Sequence, residues 1–429
     1  MLKTLSQALT RDWNIPPAIL SEAIAAELAL EKEEAAIETR TAQNSLKVLA
    51  AFQKAGIQEL HMQTTHGYGY FDRGREALDT LFATIFKAED ALVRPQFVSG
   101  THALRAALFG LLRPGDEVVV IPETPYDTLY PVFGLRKTSG SLMDWGVRVK
   151  PTPLPDLRNV VSRQTKVLFL QRSKGYAWRP SIPIAKLKSI IEEAKSLNPA
   201  LSVIVDNCYG EFVEEQEPCE VGADLVAGSL IKNPGGGLAP TGAYLAGKHD
   251  AIERAADALM APGLGKEVGP MLGFSRLIFM GILQAPRLVG EALKTACFAA
   301  LLCKRLGYGV LPEPGESRTD IIQAIELGSP EKVLAFAKGV QSAGPIEAGA
   351  TPEEAPMAGY ESEIVMAGGT FVQGGSLELS CDAPMRPPYH LFLQGGLSAV
   401  HGKLGVLLAL AAISGVNIGQ ERILALEKE

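Results

Sequence analysis

Two stretches decide how this chain folds: Val203-Ile-Val-Asp-Asn-Cys-Tyr209 and Gly222-Ala-Asp-Leu-Val-Ala-Gly-Ser-Leu-Ile-Lys-Asn-Pro-Gly-Gly-Gly237. Each begins as a short, unbroken apolar run and ends in residues that carry chemistry. Runs of this kind recur at Val118-Val-Val-Ile121, Lys166-Val-Leu-Phe-Leu170, Val203–Val205 and Leu225–Ala227. Amphipathic stretches such as Ile184 to Ser196 separate them. Continuous apolar runs divided by helical patterns predict parallel strands buried on both faces, joined by crossover helices. The fold class is therefore α/β. Gly242-Ala-Tyr-Leu-Ala-Gly247 reads as one more strand.

Outward from that centre, Ser21 to Ile37 has helix formers, a charged face and apolar residues at spacings of three to four, so residues from about 15 to 57 read as helix. A polar, aromatic-rich loop follows from His61 to Gly74, then a helix with Leu78, Leu81, Ile85 and Phe86 on its apolar side. A further helix is expected from Glu291 to Leu306, and a strand at Ser376-Leu-Glu-Leu-Ser380. This divides the chain into an N-terminal helical segment (1–60), a large α/β domain (61–290) and a smaller α+β domain (291–429).

With 429 residues, two or three domains are expected at roughly 150 residues each. The net charge of −7 does not favour nucleic acid or an anionic membrane as partner. Five cysteines, odd in number and without CxxC spacing, argue against a disulfide framework and a zinc site. The opening residues turn polar before a signal-peptide core can form. The longest apolar run, Leu404 to Val416, is too short for a bilayer and is interrupted by Ser414-Gly415, so it predicts a buried helix. A reducing cytoplasm is the expected compartment.

Four pieces carry candidate chemistry. Ser99-Gly-Thr-His-Ala103 precedes a helix, where free backbone N–H groups suit a phosphate; an ordinary helix cap has the same composition. Asp206 ends a buried strand, where a carboxylate either meets a cation such as a protonated pyridine nitrogen or caps the next turn. Lys232 follows Ser229 at the end of another strand, where desolvation would lower its pKa and suit a Schiff base. The alternative is that Asn233-Pro-Gly-Gly-Gly237 is a surface turn. Tyr126, in Pro122-Glu-Thr-Pro-Tyr-Asp-Thr128, either stacks on a flat ring or is an aromatic in a proline-rich turn. His61, His66 and His102 are too scattered to argue for a metal, and no metal is expected. Cys208 reads as a small buried filler. Glu214, Glu215, Glu217 and Glu220 read as a solvated acidic face. Tyr176 and Trp178, which flank Arg179, either line a site or pack in a core or interface.

The order of phosphate turn, aromatic, Asp and Ser-x-x-Lys resembles pyridoxal phosphate (PLP) enzymes of fold type I, a large mainly parallel α/β domain with a smaller C-terminal α+β domain. Ser99–Ala103, Val205–Tyr209 and Gly222–Lys232 are similar to the motifs of the Cys/Met-metabolism group, which includes cystathionine lyases and methionine gamma-lyase. Thr65-His-Gly-Tyr-Gly-Tyr-Phe-Asp-Arg-Gly-Arg-Glu76 and Gln171-Arg-Ser-Lys-Gly-Tyr176 resemble its branch of methionine gamma-lyase family and aluminium resistance proteins.

The resemblance implies PLP as cofactor, carried by Lys232, with Asp206 paired to the ring nitrogen and Tyr126 stacked on the ring. Ser99, Gly100, Thr101 and Ser229 would bind the phosphate. Tyr68 or Tyr70, with Arg73, would reach the phosphate of a neighbouring subunit, implying a homodimer or homotetramer with shared sites. Three features depart from the pattern. Ile231 stands where the relatives have Thr, their tyrosine- and arginine-bearing loop is replaced by the Gly-Tyr-Gly-Tyr-Phe-Asp-Arg version, and their carboxylate-binding arginine has no clean match. Arg386 is the first candidate to clamp a substrate carboxylate, with Arg179 and Arg172 behind it. The implied activity is a carbon–sulfur lyase acting by β- or γ-elimination on a sulfur amino acid, with Lys232 and Tyr126 as acid–base groups. An aminotransferase, an aldolase-type enzyme, or a low-turnover PLP-binding protein linked to metal resistance are the alternatives.

Overall fold

The computed structural model of the chain describes residues 1–416. Three helices come first: α1 (Leu2–Trp13), α2 (Pro17–Ala29) and α3 (Glu31–Ala55). Then come α4 (Arg73–Phe86), β1 (Asp90–Arg94), α5 (Gly100–Leu111), β2 (Glu117–Ile121), α6 (Leu129–Phe133), β3 (Arg148–Pro151), α7 (Leu157–Val160) and β4 (Thr165–Gln171). The alternation continues with α8 (Ile184–Leu197), β5 (Ser202–Asp206), β6 (Leu225–Ser229), β7 (Ala243–Gly247), α9 (His249–Leu259) and the long α10 (Ser275–Arg305). The remainder is β8 (Gly309–Leu311), β9 (Gln323–Glu326), α11 (Pro330–Ser342), β10 (Glu354–Ala355), β11 (Ile364–Ala367), β12 (Ser380–Pro384), β13 (His390–Gln394) and α12 (Ala399–Ile413).

Two compact units result: residues 43–175 with 181–286, and residues 1–42 with 176–180 and 287–416 among those described. The first is built on a seven-stranded sheet in the order β1-β7-β6-β5-β4-β2-β3. Strands β3, β2, β4, β5 and β6 pair in parallel, and β7 runs antiparallel to β6 and β1. Strands β2 and β6 are buried at every residue, as the unbroken apolar runs predict. On one face, α5 and α9 cover a core that includes Leu104, Leu108, Val118, Phe169, Leu225 and Ile252. Burying each such side chain contributes roughly 1.5–3 kcal/mol. Because the parallel strands share one direction, all their C-terminal ends lie on one edge, where ligands of open α/β sheets bind.

The second unit holds a six-stranded sheet, β10-β11-β12-β13-β9-β8, antiparallel throughout, with α11 packed against α12. Buried lysines tie its helices together. Lys403 of α12 is 4% exposed and donates to Glu27 and Glu34 at 3.0 and 2.9 Å. Lys294 of α10 pairs with Glu38 and Glu291. The five residues Tyr176–Pro180 belong to this unit although the chain around them does not. Tyr176 packs against Tyr360 and Phe392, and Trp178 stacks on His390 at 4.3 Å between ring centres.

Several expectations need correction. The polar opening carries no clear helix signal, yet Leu2–Trp13 forms α1, a one-sided helix that buries Leu2 and Leu9. Helix α10 begins sixteen residues before Glu291 and runs through Pro286, because Ile278, Phe279, Ile282 and Ala285 ahead of that proline are buried and hold the helix there. The strand expected at Ser376–Ser380 begins only at Ser380. Its would-be first half is a bend, because the Glu378 carboxylate accepts the Phe371 and Val372 N–H groups at 2.7 and 3.1 Å. The run Glu214–Glu220 is a solvated face only in part: Glu215 and Glu220 are exposed, but Glu217 is fully buried and takes N–H groups from Asn207 and Phe212, and Glu214 pairs with Arg172. No helix of the described residues is long and apolar enough to cross a membrane.

Candidate active site

The edge formed by the C-terminal ends of β4, β5 and β6 gathers Tyr126, Asp206 and Ser229. Asp206 is the last residue of β5, with Gln171 of β4 and Ala227 of β6 as its register partners. It is 6% exposed, and its Oδ1 accepts the Cys208 N–H at 3.1 Å. Ser229 ends β6 and is buried. Tyr126 is tied to the same edge, its N–H donating to Gln171 Oε1 at 2.6 Å.

The head of α5 closes this edge. Ser99 caps the helix by accepting the His102 N–H at 3.1 Å. The next position is closely packed: a Cβ on Gly100 would lie 3.3 Å from Ser229 Cβ and 3.4 Å from Cys208 Sγ. The helix start thus meets the ends of β5 and β6. Thr101 Oγ1 shares a hydrogen bond of 2.7 Å with Thr128 Oγ1. His102 accepts the Val98 N–H and sets its ring edge-on to Phe97; burial, then Arg105, lowers its pKa and keeps it neutral.

Lys232 caps a one-turn helix, Asn233–Gly235. The glycine run is not a surface turn. Asn233, Pro234, Gly235 and Gly236 are all buried, and a Cβ on Gly235 would overlap the Leu230 carbonyl. The Lys232 ammonium stands 3.9 Å from the centre of the Tyr209 ring. Tyr209 holds a φ of 71°, the left-handed region, which aims its ring there. The pKa of Lys232 is not lowered as the sequence suggests. Burial alone pulls it down, but Cys208, Tyr209 and Asp206 together push it well above the ordinary lysine value. The Cys208 thiol is itself held protonated by burial and by Asp206, so Asp206 is the counter-charge that acts at neutral pH. Ile231 offers no hydroxyl beside the lysine.

Tyr68, Tyr70 and Arg73 lie elsewhere on the large unit. The two rings stack on each other at 5.4 Å and are 71% and 63% exposed. Arg73 is exposed at the first position of α4. No hydrogen bond among the described residues joins these three to Lys232 or to the head of α5. Their loop is rigidly seated: the Gly269 N–H donates to the Tyr68 carbonyl at 3.0 Å, and buried Arg75 donates to the Gly69 carbonyl at 2.8 Å.

The arginines divide in the same way. Arg386 is exposed in the turn between β12 and β13, and Arg179 lies in the Tyr176–Pro180 segment, both in the smaller unit. Arg172 is fully buried and bonds Asn207 Oδ1, the Gly210 and Ile182 carbonyls and Glu214, so its donors serve the fold rather than a substrate. Nothing in Val-Asp-Asn-x-Tyr announces the placement of Tyr209 against the lysine, and nothing local announces Glu211, which is fully buried. The group Asp90, His249 and Glu253 brings donor atoms within 4.8 Å of one another, but Lys266 and His249 already pair with Asp90.

A parallel sheet in this strand order, with one antiparallel strand, is the large-domain fold of fold type I, the fold also of the cystathionine gamma-synthase from Xanthomonas oryzae pv. oryzae. Residues 19–414 match the methionine gamma-lyase family, and the chain belongs to it. It is 45% identical to the YnbB protein of Bacillus subtilis over 387 residues, 88% of this chain and 92% of that one. A crystal structure from Clostridium acetobutylicum, of a candidate cystathionine beta-lyase involved in aluminum resistance, superposes with a TM-score of 0.92 at 43% identity, covering 96% of this chain and all of that one. A carbon-sulfur lyase involved in aluminum resistance from Clostridium novyi NT gives 0.91 at 41% identity, covering 96% and 100%.

Proposed function

We propose that the protein is a PLP-dependent carbon–sulfur lyase that acts on a sulfur-containing amino acid. The observation that carries this reading is the convergence of an anion-binding helix start, a buried carboxylate and a buried-edge lysine on one sheet end. The residues present fit the cofactor's three chemical parts. The free N–H groups of α5, a helix of twelve residues, with the Thr101 and Ser229 hydroxyls, suit a phosphate dianion. Asp206 suits a ring nitrogen that must stay protonated, because a buried carboxylate favours a cationic neighbour. Lys232 supplies the primary amine.

When bound, the cofactor supplies an electron sink for negative charge developing at the substrate α-carbon. Everything else falls to the chain. Asp206 holds the proton on the ring nitrogen. Tyr126 bounds the site beside the end of β4. Lys232 exchanges one proton with the substrate α-carbon, as a base in its neutral form and as an acid afterwards. The Tyr209 ring stabilises its charged form. Arg386, with Arg179 as second choice, clamps the substrate carboxylate. Loss of the sulfur substituent then yields a thiol, and hydrolysis releases ammonia and a 2-oxo acid. Tyr68, Tyr70 and Arg73, exposed and apart from Lys232, serve the phosphate of a second subunit, so the working enzyme is a homodimer or homotetramer.

The test is a product assay with cystathionine, cysteine and methionine. Equal release of 2-oxo acid, ammonia and thiol without any added 2-oxo acid supports the lyase. Turnover only when a 2-oxo acid acceptor is present contradicts it in favour of an aminotransferase.

A further inference from the structure

Behind the lysine turn lies a buried carboxyl that the proposed chemistry does not use. Glu211 is fully buried, and its Oε1 accepts the Tyr244 hydroxyl at 3.0 Å. Its other oxygen, Oε2, is buried with no hydrogen-bond partner among the described residues. The residue after Lys232 has the same defect. Asn233 is fully buried, its Nδ2 donates to the Glu211 carbonyl at 3.0 Å, and its Oδ1 has no partner among the described residues. The amide cannot be turned round to cure this, because Oδ1 would then face the Glu211 carbonyl oxygen. Two residues already joined through one hydrogen bond thus each carry an orphaned acceptor, and each orphan is costly. What the pair lacks is a donor. The bare backbone of β6 packs close against the same carboxyl, since a Cβ on Gly228 would overlap Glu211 Oε1.

We propose that Glu211 is held as a neutral acid and is the positioning residue of the Lys232 turn, its carboxyl proton bonding the acceptor that Asn233 presents. The groups facing Glu211 are Glu217 and Cys208 from its own segment, Tyr244 from β7 and Lys232 from the turn. Burial chiefly, then Glu217, raises the carboxyl pKa to about 8, with Tyr244 and Lys232 pulling the other way. Only the consequence for Lys232 rests on the proposed function; the protonation state does not.

Sign follows from linkage. The folded protein holds this proton more tightly than the unfolded chain, so the stability it provides is full below the ordinary carboxyl value of 4.5 and is lost as pH rises through about 8. Glu211→Gln supplies a neutral N–H donor without that titration. The expected results are an infrared carbonyl band of a protonated acid in the cofactor-free protein, absent from E211Q, and a stability of E211Q relative to wild type that grows from about pH 5 to about pH 9. E211Q should also keep cofactor on Lys232, while Glu211→Ala loosens it by about tenfold or more. Parallel stability curves with no acid band would overturn the proposal. An acid band in a protein that never takes cofactor on Lys232 would support Glu211 as assigned and sink the lyase reading instead. Should E211A fail to fold, the E211Q comparison still decides.

Discussion

The Lys232 ammonium sits 3.9 Å over the face of the Tyr209 ring, and this contact links the two sequence stretches that define the fold. A desolvated cation over an aromatic face gains roughly 2 kcal/mol. Here it also acts with Asp206 to hold the proton on the lysine. Tyr209→Phe should therefore keep Lys232 in place, while Tyr209→Ala lowers the pH at which Lys232 loses its proton. The pH dependence of the first step of turnover reads this directly. An unchanged profile in Y209A would show that the ring has no hold on the lysine.

Asp206→Asn tests the second anchor. Asparagine still accepts the Cys208 N–H that Asp206 Oδ1 now takes at 3.1 Å, so the fold should stand. The charge opposite the ring nitrogen is gone. Turnover is expected to fall by at least about 10²-fold, the size typical of losing a proton-controlling group, with cofactor still present. Rapid kinetics on the loaded variant checks this, and near-normal turnover would remove Asp206 from its role.

Gly235→Ala probes the packing of the lysine turn. Its Cβ would overlap the Leu230 carbonyl, which is backbone and cannot swing away. Overpacking of this kind costs about 1–3 kcal/mol. Urea unfolding should show that loss together with poorer cofactor retention. Unchanged stability would mean that the turn is looser than drawn.

In the smaller unit, Lys403→Ala should be destabilising. It takes the buried cation from the partly exposed Glu34 and from Glu27, which keeps the Met1 ammonium and the Leu2 N–H, a change that costs about 1–3 kcal/mol. Burial works to raise the Glu27 pKa, but the Leu2 N–H and Lys403 overcome it and lower the net value below 4.5. The stability this provides is full above 4.5 and is lost as pH falls through the folded value, so K403A should flatten the acid limb of the wild-type stability curve.

Much of the large unit is legible in the sequence. The apolar runs at Val118, Lys166, Val203 and Leu225 declare buried strands because burial on both faces leaves no room for alternation. Asp206, Ser229 and Lys232 stand out because chemistry sits where those runs stop. What stayed hidden depends on contacts between distant segments. Acidic residues read as solvated, so nothing local announces that Glu211 and Glu217 are buried, with Tyr244 and Asn207 as their donors. Three glycines in a row read as flexible, although Gly235 exists to let the Leu230 carbonyl pass. Tyr176–Pro180 gave no sign of leaving one compact unit for another, because its anchors, Phe392 and His390, lie more than 200 residues ahead.

The measurement that bears most directly on the account is borohydride reduction of the purified protein loaded with pyridoxal phosphate, followed by peptide mapping. One reduced cofactor per chain is expected, attached to Lys232, and none on Lys232→Ala. A cofactor recovered on another lysine, or no attachment at all in the wild-type protein, would contradict it.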